Sequence, residues 1–70
     1  MKIVFTSHAE FRLRKRGILK EEIIGAIENP DSTQKKGGKH YFQKAFGRRK
    51  IEVVAENTQK HLKVITVYWF

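Results

Sequence analysis

The strongest strand signal in the chain lies at its end, where residues 62–69 are mostly Val, Ile, Thr, Tyr and Trp. Such a strand is stable only when it pairs with others and buries one face. Because side chains alternate along a strand, we expect Val64, Thr66 and Tyr68 to line an open face. The other set is wholly apolar and is predicted to pack under helices. It consists of Ile65, Val67 and Trp69.

Two helices are predicted in the first half of the chain. Ser7 and Glu10 have the spacing of a capping box, which would begin a helix over about residues 8–16. Gly17 is well placed to end this helix, because the next position favours the left-handed conformation that glycine tolerates. A second helix is predicted over about residues 20–28, with acidic residues in its first turn and an Asn-Pro stop after it.

Further strands are predicted around a glycine turn. The glycine pair at 37–38, between segments 33–36 and 39–44, is a two-residue hairpin signal. Residues 2–5 have a strand-like composition, and residues 49–56 alternate as a strand does. The order that we expect is β-α-α-β-β-β, which is an α+β fold.

The chain is strongly basic and its charge is clustered. Fifteen Lys and Arg stand against seven Asp and Glu, a net charge of +8, while apolar residues make up 40%, which suits one globular domain over residues 1–70. Residues 11–20 and 32–51 contain many basic residues and no acid. Clustered positive charge binds polyanions by releasing counterions, so we expect a nucleic acid, or an acidic protein that mimics one, as partner.

Several other classes of site find no support in the sequence. The chain has no cysteine, which excludes disulfides and thiolate metal sites, and no two histidines have the spacing of metal ligands on a helix. No phosphate-binding glycine motif is present, so no cofactor or metal is expected. No apolar run approaches the length of a membrane span and no signal peptide begins the chain, so we expect a cytoplasmic protein without a membrane partner.

The residues most suited to chemistry lie on the first predicted helix. Arg12 and Arg16 follow His8 at four and eight residues, so the three side chains share one face. A helix N-terminus disfavours a charged imidazole, which would leave His8 available as a base, and arginines stabilise charge on a reacting phosphate. The alternative is a histidine of the capping turn beside a solvated arginine face. A pairing with His40 or His61 is also open, since sequence does not show which histidines meet.

Aromatic and basic residues are interspersed in the second half of the chain, a composition that suits stacking of single-stranded bases on a sheet. Tyr41 and Phe42 are neighbours and cannot share a face of one strand, so we expect about half of the aromatic rings in the core. The rings are Tyr41, Phe42, Phe46 and Tyr68, and the basic residues are Lys39, Lys44, Arg48 and Arg49.

These motifs together resemble a family of small bacterial and archaeal domains of unknown function that is grouped with the RelE/ParE-type toxin superfamily. The matching residues are Phe5-Thr6-Ser7-His8-Ala9, Arg12-Leu13, Arg16-Gly17-Ile18, Glu22-Ile23, Asn29-Pro30, Tyr41 and Ile65-Thr66-Val67-Tyr68. Leu19 departs from the family, which usually has Ser or Thr at that position. The resemblance implies a RelE-like fold, with two helices packed on one face of a curved antiparallel sheet.

The functions known in the superfamily indicate what this chain is expected to do. Its members include RNA-cleaving toxins held in check by antitoxins, while others, of the ParE kind, poison a DNA topoisomerase. We expect a toxin-like, metal-independent endoribonuclease that acts on messenger RNA, with ribosome dependence left open. The alternatives are a nucleic-acid-binding domain without catalysis and a toxin that inhibits a protein.

The candidate site residues fall into two sets. The predicted catalytic residues are His8, Arg12, Arg16 and Tyr68. The predicted nucleic-acid-binding residues are Lys15, Tyr41, Lys44, Arg48, Arg49 and Thr66.

Overall fold

The computed structural model describes residues 2–70 and has the α+β composition expected from the sequence. Its elements are β1 (Lys2–Phe5), α1 (Ser7–Arg16), α2 (Lys20–Glu28), β2 (Ser32–Lys36), β3 (Lys39–Phe46), β4 (Arg49–Asn57) and β5 (His61–Trp69). The predicted order is therefore one strand short. The strand missing from that order is β2, the first arm of the hairpin that the glycine pair at 37–38 predicted. Its residues are all exposed, and it is held by its pairing with β3.

The strands form one sheet in the order β1-β5-β4-β3-β2. Strands β2 to β5 are a run of antiparallel neighbours, but β1 pairs with β5 in parallel. The sheet is thus mixed rather than wholly antiparallel as expected. The reason is topological, since the two helices carry the chain from β1 at one edge to β2 at the other, and such a connection can join strands of either direction.

The core lies between the two helices and one face of the sheet. Helix α1 contributes Ala9 and Leu13, and α2 contributes Ile23 and Ala26, all of them buried. The strand residues in the same cluster are Ile51, Val53, Val64 and Val67, with Phe5, Phe42 and Trp69 packed against it. No helix within the described part of the chain, residues 2–70, is long and apolar enough to cross a membrane.

A bulge between β4 and β5 changes which side chains of β5 face the helices. The register shifts between Val54 and Ala55. On either side of this shift the partners are Thr66 and Val64, so Ile65 between them has no partner across the strands. The extra residue reverses the alternation, and Val64 lies in the core where Ile65 was predicted. The predictions for Val67 and Trp69 are confirmed.

Helix α1 begins one residue earlier than the predicted capping box requires. Thr6 is the N-cap, and its Oγ1 accepts a hydrogen bond from the Ala9 backbone N–H at 3.0 Å. The same hydroxyl donates to the Ile65 backbone carbonyl at 3.2 Å, so it satisfies a helix end and a strand edge together. Ser7 is exposed in the first turn, and Glu10 pairs with a lysine instead of the cap.

The other predicted helix ends agree with the structure. Gly17 follows α1 with a φ of 65°, in the left-handed region. Helix α2 spans the predicted residues although Leu19, at its N-cap, has no side-chain acceptor. The Glu22 carboxylate compensates in part by accepting from the Leu19 backbone N–H at 3.0 Å.

The position of the cap predicts a difference between neighbouring variants. Thr6→Ala should lower the free energy of unfolding by about 1–2 kcal/mol, because it removes the cap and the contact with β5. Ser7→Ala should change it by less than about 0.5 kcal/mol. Urea denaturation of both variants measures these values. A larger loss of unfolding free energy for Ser7→Ala than for Thr6→Ala would indicate that Ser7, not Thr6, is the N-cap.

Candidate active site

A surface cleft of about 460 Å³ opens where α1 passes the edge of β5. Strand β1 pairs only with the first part of β5, His61 to Val64, and α1 packs along β5 as well. The basic face of α1 therefore reaches the rim of the sheet. The residues that line the cleft are His8, Arg12, Arg16, Thr66, Tyr68 and Trp69.

His8 and Arg12 contact each other at the mouth of this cleft. The Arg12 Nε–H donates to Nε2 of His8 at 3.4 Å, across one turn of α1. His8 is exposed and stands in the first turn of the helix. This contact places the Arg12 guanidinium beside the His8 ring, so a cation and an imidazole share the mouth of the cleft.

Arg16 joins the helix to the edge of β5. Its Nη1 donates to the Val67 backbone carbonyl at 2.9 Å, and the Trp69 indole N–H donates to the Arg16 carbonyl at 3.0 Å. A guanidinium has five N–H donors, so the contact with Val67 fixes the group without using up its capacity to bind an anion. The cleft thus holds one arginine beside the histidine and a second one fixed on the strand.

Tyr68 belongs to a row of polar side chains that crosses the open face of the sheet. Its hydroxyl donates to Glu52 Oε1, and Glu52 Oε2 accepts from the Gln43 side-chain amide at 2.5 Å. The Gln43 side-chain oxygen in turn accepts from the Ser32 hydroxyl at 2.7 Å. These four residues, here called the polar row, occupy facing positions on β5, β4, β3 and β2.

The polar row sets the protonation of Tyr68. The hydrogen bond to Glu52 is the main cause that raises the pKa of Tyr68 from 10.0 to about 12, followed by burial, by the charge of Glu52 and by Tyr41. The proton is favoured because the phenol donates to a carboxylate that would repel a phenolate. At neutral pH Tyr68 is therefore a neutral phenol whose hydroxyl donates a hydrogen bond to Glu52.

All four predicted catalytic residues meet in the cleft, together with Thr66 from the binding set. The lining offers guanidinium donors for an anion and an imidazole for proton transfer. No group of three His, Asp or Glu side chains within residues 2–70 is arranged to hold a metal ion. The arrangement is able to bind a phosphate and to move a proton beside it.

Two of the predicted binding residues lie on the helix side of the sheet instead. Lys44 Nζ donates to the Asn29 backbone carbonyl at 2.8 Å, at the end of α2. Arg49 Nη2 donates to the Gly17 carbonyl at 3.2 Å, after the end of α1, and its guanidinium lies 4.1 Å from the centre of the Trp69 ring. Both side chains satisfy carbonyls at helix C-termini, where cations are favourable.

The remaining predicted binding residues are dispersed. Lys15 is exposed on α1 outside the cleft, and Arg48 is exposed in the turn between β3 and β4. Tyr41 lines a separate pocket on the open face. His40 stacks on Phe42, with ring centres 6.0 Å apart, and neither it nor His61 lines the cleft.

Sequence reasoning missed two residues of the site, Glu52 and Trp69. Glu52 is the first acid after the basic segment 32–51, and alternation places it on the face opposite Ile51 and Val53. An isolated acid after a long basic segment was the feature of the sequence that could have identified Glu52. Trp69 was expected only in the core, whereas it also lines the cleft and donates to Arg16.

Comparison with protein families identifies the chain. The model of DUF4258, a domain of unknown function, matches residues 5–69. The chain belongs to the DUF4258 family. The matched segment contains every residue of the cleft, and the expected resemblance to a family of unknown function is confirmed. The search of curated proteins and the search of solved structures returned no match to this DUF4258 domain.

The polar row predicts the alkaline titration of Tyr68. The chain has two tyrosines, so in a Tyr41→Phe background the phenolate absorbance reports Tyr68 alone. It should still rise well above pH 10.0, because Glu52, the main cause of the raised pKa, remains. Adding Glu52→Ala should bring the pKa of Tyr68 back toward 10.0, because the hydrogen bond and the charge are both removed. If the pKa of Tyr68 is the same with and without Glu52→Ala, Glu52 is not the cause of the raised pKa.

The same shift has a consequence for stability. Because the pKa of Tyr68 is raised in the folded state, the native protein keeps a proton that the unfolded chain loses. The contribution to the free energy of unfolding is complete below pH 10 and is lost as the pH rises from 10.0 toward about 12. Glu52→Ala should show a weaker dependence of stability on pH in this range.

Proposed function

We propose that this DUF4258 domain binds single-stranded RNA and cleaves it as a metal-independent endoribonuclease. The observation that supports this most directly is the cleft, which brings His8, Arg12 and Arg16 of α1 against Tyr68 of β5. A base and two arginines beside one another are what phosphodiester cleavage by a neighbouring hydroxyl requires. The net charge of +8 favours a polyanionic substrate.

The reaction would begin at the ribose of the substrate. His8 takes the proton of a 2′-hydroxyl, whose oxygen then bonds to the adjacent phosphorus. The bond from phosphorus to the 5′ oxygen breaks, which leaves a 2′,3′-cyclic phosphate and a 5′-hydroxyl end that takes a proton from solvent. For this step the hydrogen bond from Arg12 to Nε2 of His8 must be exchanged for one from the 2′-hydroxyl, which leaves the Arg12 guanidinium free to bind the phosphate.

The two arginines would stabilise the phosphate as negative charge develops on it. Arg12 lies beside His8, so its guanidinium can bind an oxygen of the phosphate while His8 deprotonates the neighbouring 2′-hydroxyl. Arg16 is fixed by the Val67 carbonyl, and a donor fixed before the reaction needs no reorganisation during it. Planar guanidinium groups suit this role because they bind phosphate through two hydrogen bonds at once.

Tyr68 would position the substrate rather than exchange protons. Its hydroxyl is engaged with Glu52 and its pKa is raised to about 12, so it is neither a base nor a ready acid at neutral pH. The ring remains at the cleft, where it can stack on a base. Thr66, two residues earlier on the same strand, lines the cleft beside it.

We further propose kinship with the RelE/ParE-type toxins, and with it action on messenger RNA in the cytoplasm under the control of an antitoxin protein. The proposal is supported by the sequence motifs around His8 and Tyr68 and by two helices packed on one face of the sheet. The parallel pairing of β1 with β5 differs from the antiparallel sheet that the resemblance implied.

Cleavage should depend on His8. With end-labelled RNA in the presence of EDTA, the protein should produce fragments that end in a 2′,3′-cyclic phosphate. His8→Ala should lower the rate by about 10²–10⁴-fold, because it removes the general base. The melting temperature should change little, since His8 is exposed.

A matched control distinguishes the site from a general loss of charge or fold. His61→Ala alters a histidine outside the cleft and should leave the cleavage rate unchanged. RNA with a single 2′-deoxy position should resist cleavage at that position alone. Salt-sensitive binding without cleavage would favour a binding domain, and an equal loss in both histidine variants would refute the role of His8.

The role of Tyr68 predicts a contrast between two substitutions. Tyr68→Phe keeps the ring and should retain most of the cleavage rate, whereas Tyr68→Ala removes the stacking surface and should weaken RNA binding by about 1–3 kcal/mol. Rates at saturating and limiting RNA separate binding from chemistry. A loss of rate at saturating RNA in Tyr68→Phe would assign the hydroxyl a chemical role instead.

A further inference from the structure

A second pocket lies on the open face of the sheet, at the hairpin that joins β2 to β3. It has a volume of about 390 Å³ and is here called the hairpin pocket. It is lined by Gln34, Lys36, Gly37, Lys39, Tyr41 and Glu52. None of these residues lines the cleft. Tyr41 belongs to the predicted binding set, and Lys39 is one of the basic residues that the sequence places among the aromatic rings.

Two lysines face each other at the rim of the hairpin pocket. Lys36 and Lys39 are direct partners across the β2–β3 pair. Like charges in facing positions destabilise a sheet. Lys39 also faces Glu56 on β4, but the Glu56 carboxylate lies 3.8 Å from Lys63, and within residues 2–70 neither Lys36 nor Lys39 has a carboxylate within 4.0 Å. A bound anion would remove this repulsion, and a phosphate between the two ammonium groups fits the arrangement.

The wall of the pocket next to the lysines has groups that suit a nucleobase. Tyr41 is half-buried and pairs across the strands with Gln34, which places a ring beside a side-chain amide. Every base can stack on an aromatic ring, and amides and carboxylates bond to base edges. Glu52, also in the lining, repels any anion, including a phosphate, but can accept a hydrogen bond from an exocyclic amino group of a base.

The hairpin pocket and the cleft are connected across β4. Glu52 lines the pocket and holds the hydroxyl of Tyr68, which lines the cleft. Tyr41 also pairs with Val54, and Val54 pairs with Thr66 of the cleft, so Val54 lies between the two sites on the sheet. Strands β3 and β5 are separated by two strand spacings, about 10 Å, a distance that a short run of nucleotides spans.

We propose that the hairpin pocket is a second subsite for the RNA strand whose scissile bond lies in the cleft. Lys36 and Lys39 bind a phosphate, and Tyr41 stacks on the base next to it. The inference rests on the proposed function, since it assumes RNA in the cleft. It adds that the substrate is single-stranded across the open face, and that binding depends on nucleotides outside the cleaved bond.

The test measures binding with RNA that has 2′-O-methyl groups throughout and so is not cleaved by this route. Fluorescence anisotropy compares an oligonucleotide of about four nucleotides with one of about twelve. For the longer RNA, the double variant Lys36→Ala/Lys39→Ala should weaken binding roughly tenfold and reduce the slope of log K against log salt by about 1.4. Binding of the shorter RNA should change by less than about twofold.

The matched control removes the same charge elsewhere. In Lys35→Ala/Lys60→Ala, one lysine lies on the opposite side of β2 and the other in the turn before β5, so the effect on the longer RNA should be clearly smaller. Tyr41→Ala should weaken binding of the longer RNA by about 5- to 100-fold, while Tyr41→Phe should retain it. Melting temperatures of all variants check that the fold is kept.

The outcomes separate the two proposals. If the unaltered protein binds neither RNA, the proposed function fails and the second subsite with it. If it binds both RNAs but the two lysine pairs have equal effects, or if Tyr41→Ala has none, the hairpin pocket is not a subsite while the proposed function stands. Selective weakening of the longer RNA by changes at Lys36, Lys39 and Tyr41 supports the subsite.

Discussion

The contact between α1 and the edge of β5 is the constraint on which the rest of the structure depends. Beyond its pairing with β1, β5 presents backbone carbonyls that need donors. The Thr6 hydroxyl donates to Ile65, and the Arg16 guanidinium donates to Val67. The helix that protects this edge therefore also brings His8 and Arg12 to the rim of the open face. The cleft forms because α1 supplies the hydrogen-bond donors that the free edge of β5 needs. Arg16 therefore has two roles, since it donates to the Val67 carbonyl and also lines the cleft.

The distribution of the few acids decides where an anion can bind. Within residues 2–70 the ion pairs involve Lys20, Lys44, Arg49 and Lys63, each with a nearby carboxylate. None of these four lines the cleft, whose arginines contact an imidazole and a backbone carbonyl instead. A carbonyl or an imidazole orients a guanidinium but leaves its charge uncompensated, whereas a carboxylate neutralises it. The two cleft arginines take part in none of these ion pairs, so their charge adds to the positive field of a protein with a net charge of +8.

Local patterns predicted what depends on local spacing. The helix face of His8, Arg12 and Arg16 follows from residues four apart, and the left-handed Gly17 and the glycine turn follow from backbone conformation. The predictions that were wrong depend on contacts between segments that are distant in the sequence. Ile65 was placed in the core because the register shift in β4 is invisible in β5 alone. Lys44 could not be assigned to the end of α2 without knowing which carbonyl lies near it.

Glu52 is a carboxylate on the open face of a strongly basic protein, and its contacts explain how it is accommodated there. Both of its oxygens accept hydrogen bonds, from Tyr68 and from Gln43, so part of its charge is compensated without a cation. In return it fixes the phenol of Tyr68 in one orientation and keeps it protonated. A ring that is already oriented loses less conformational entropy when a base stacks on it. The carboxylate lowers the positive charge at one point of the open face, and it links the hairpin pocket, which it lines, to Tyr68 in the cleft.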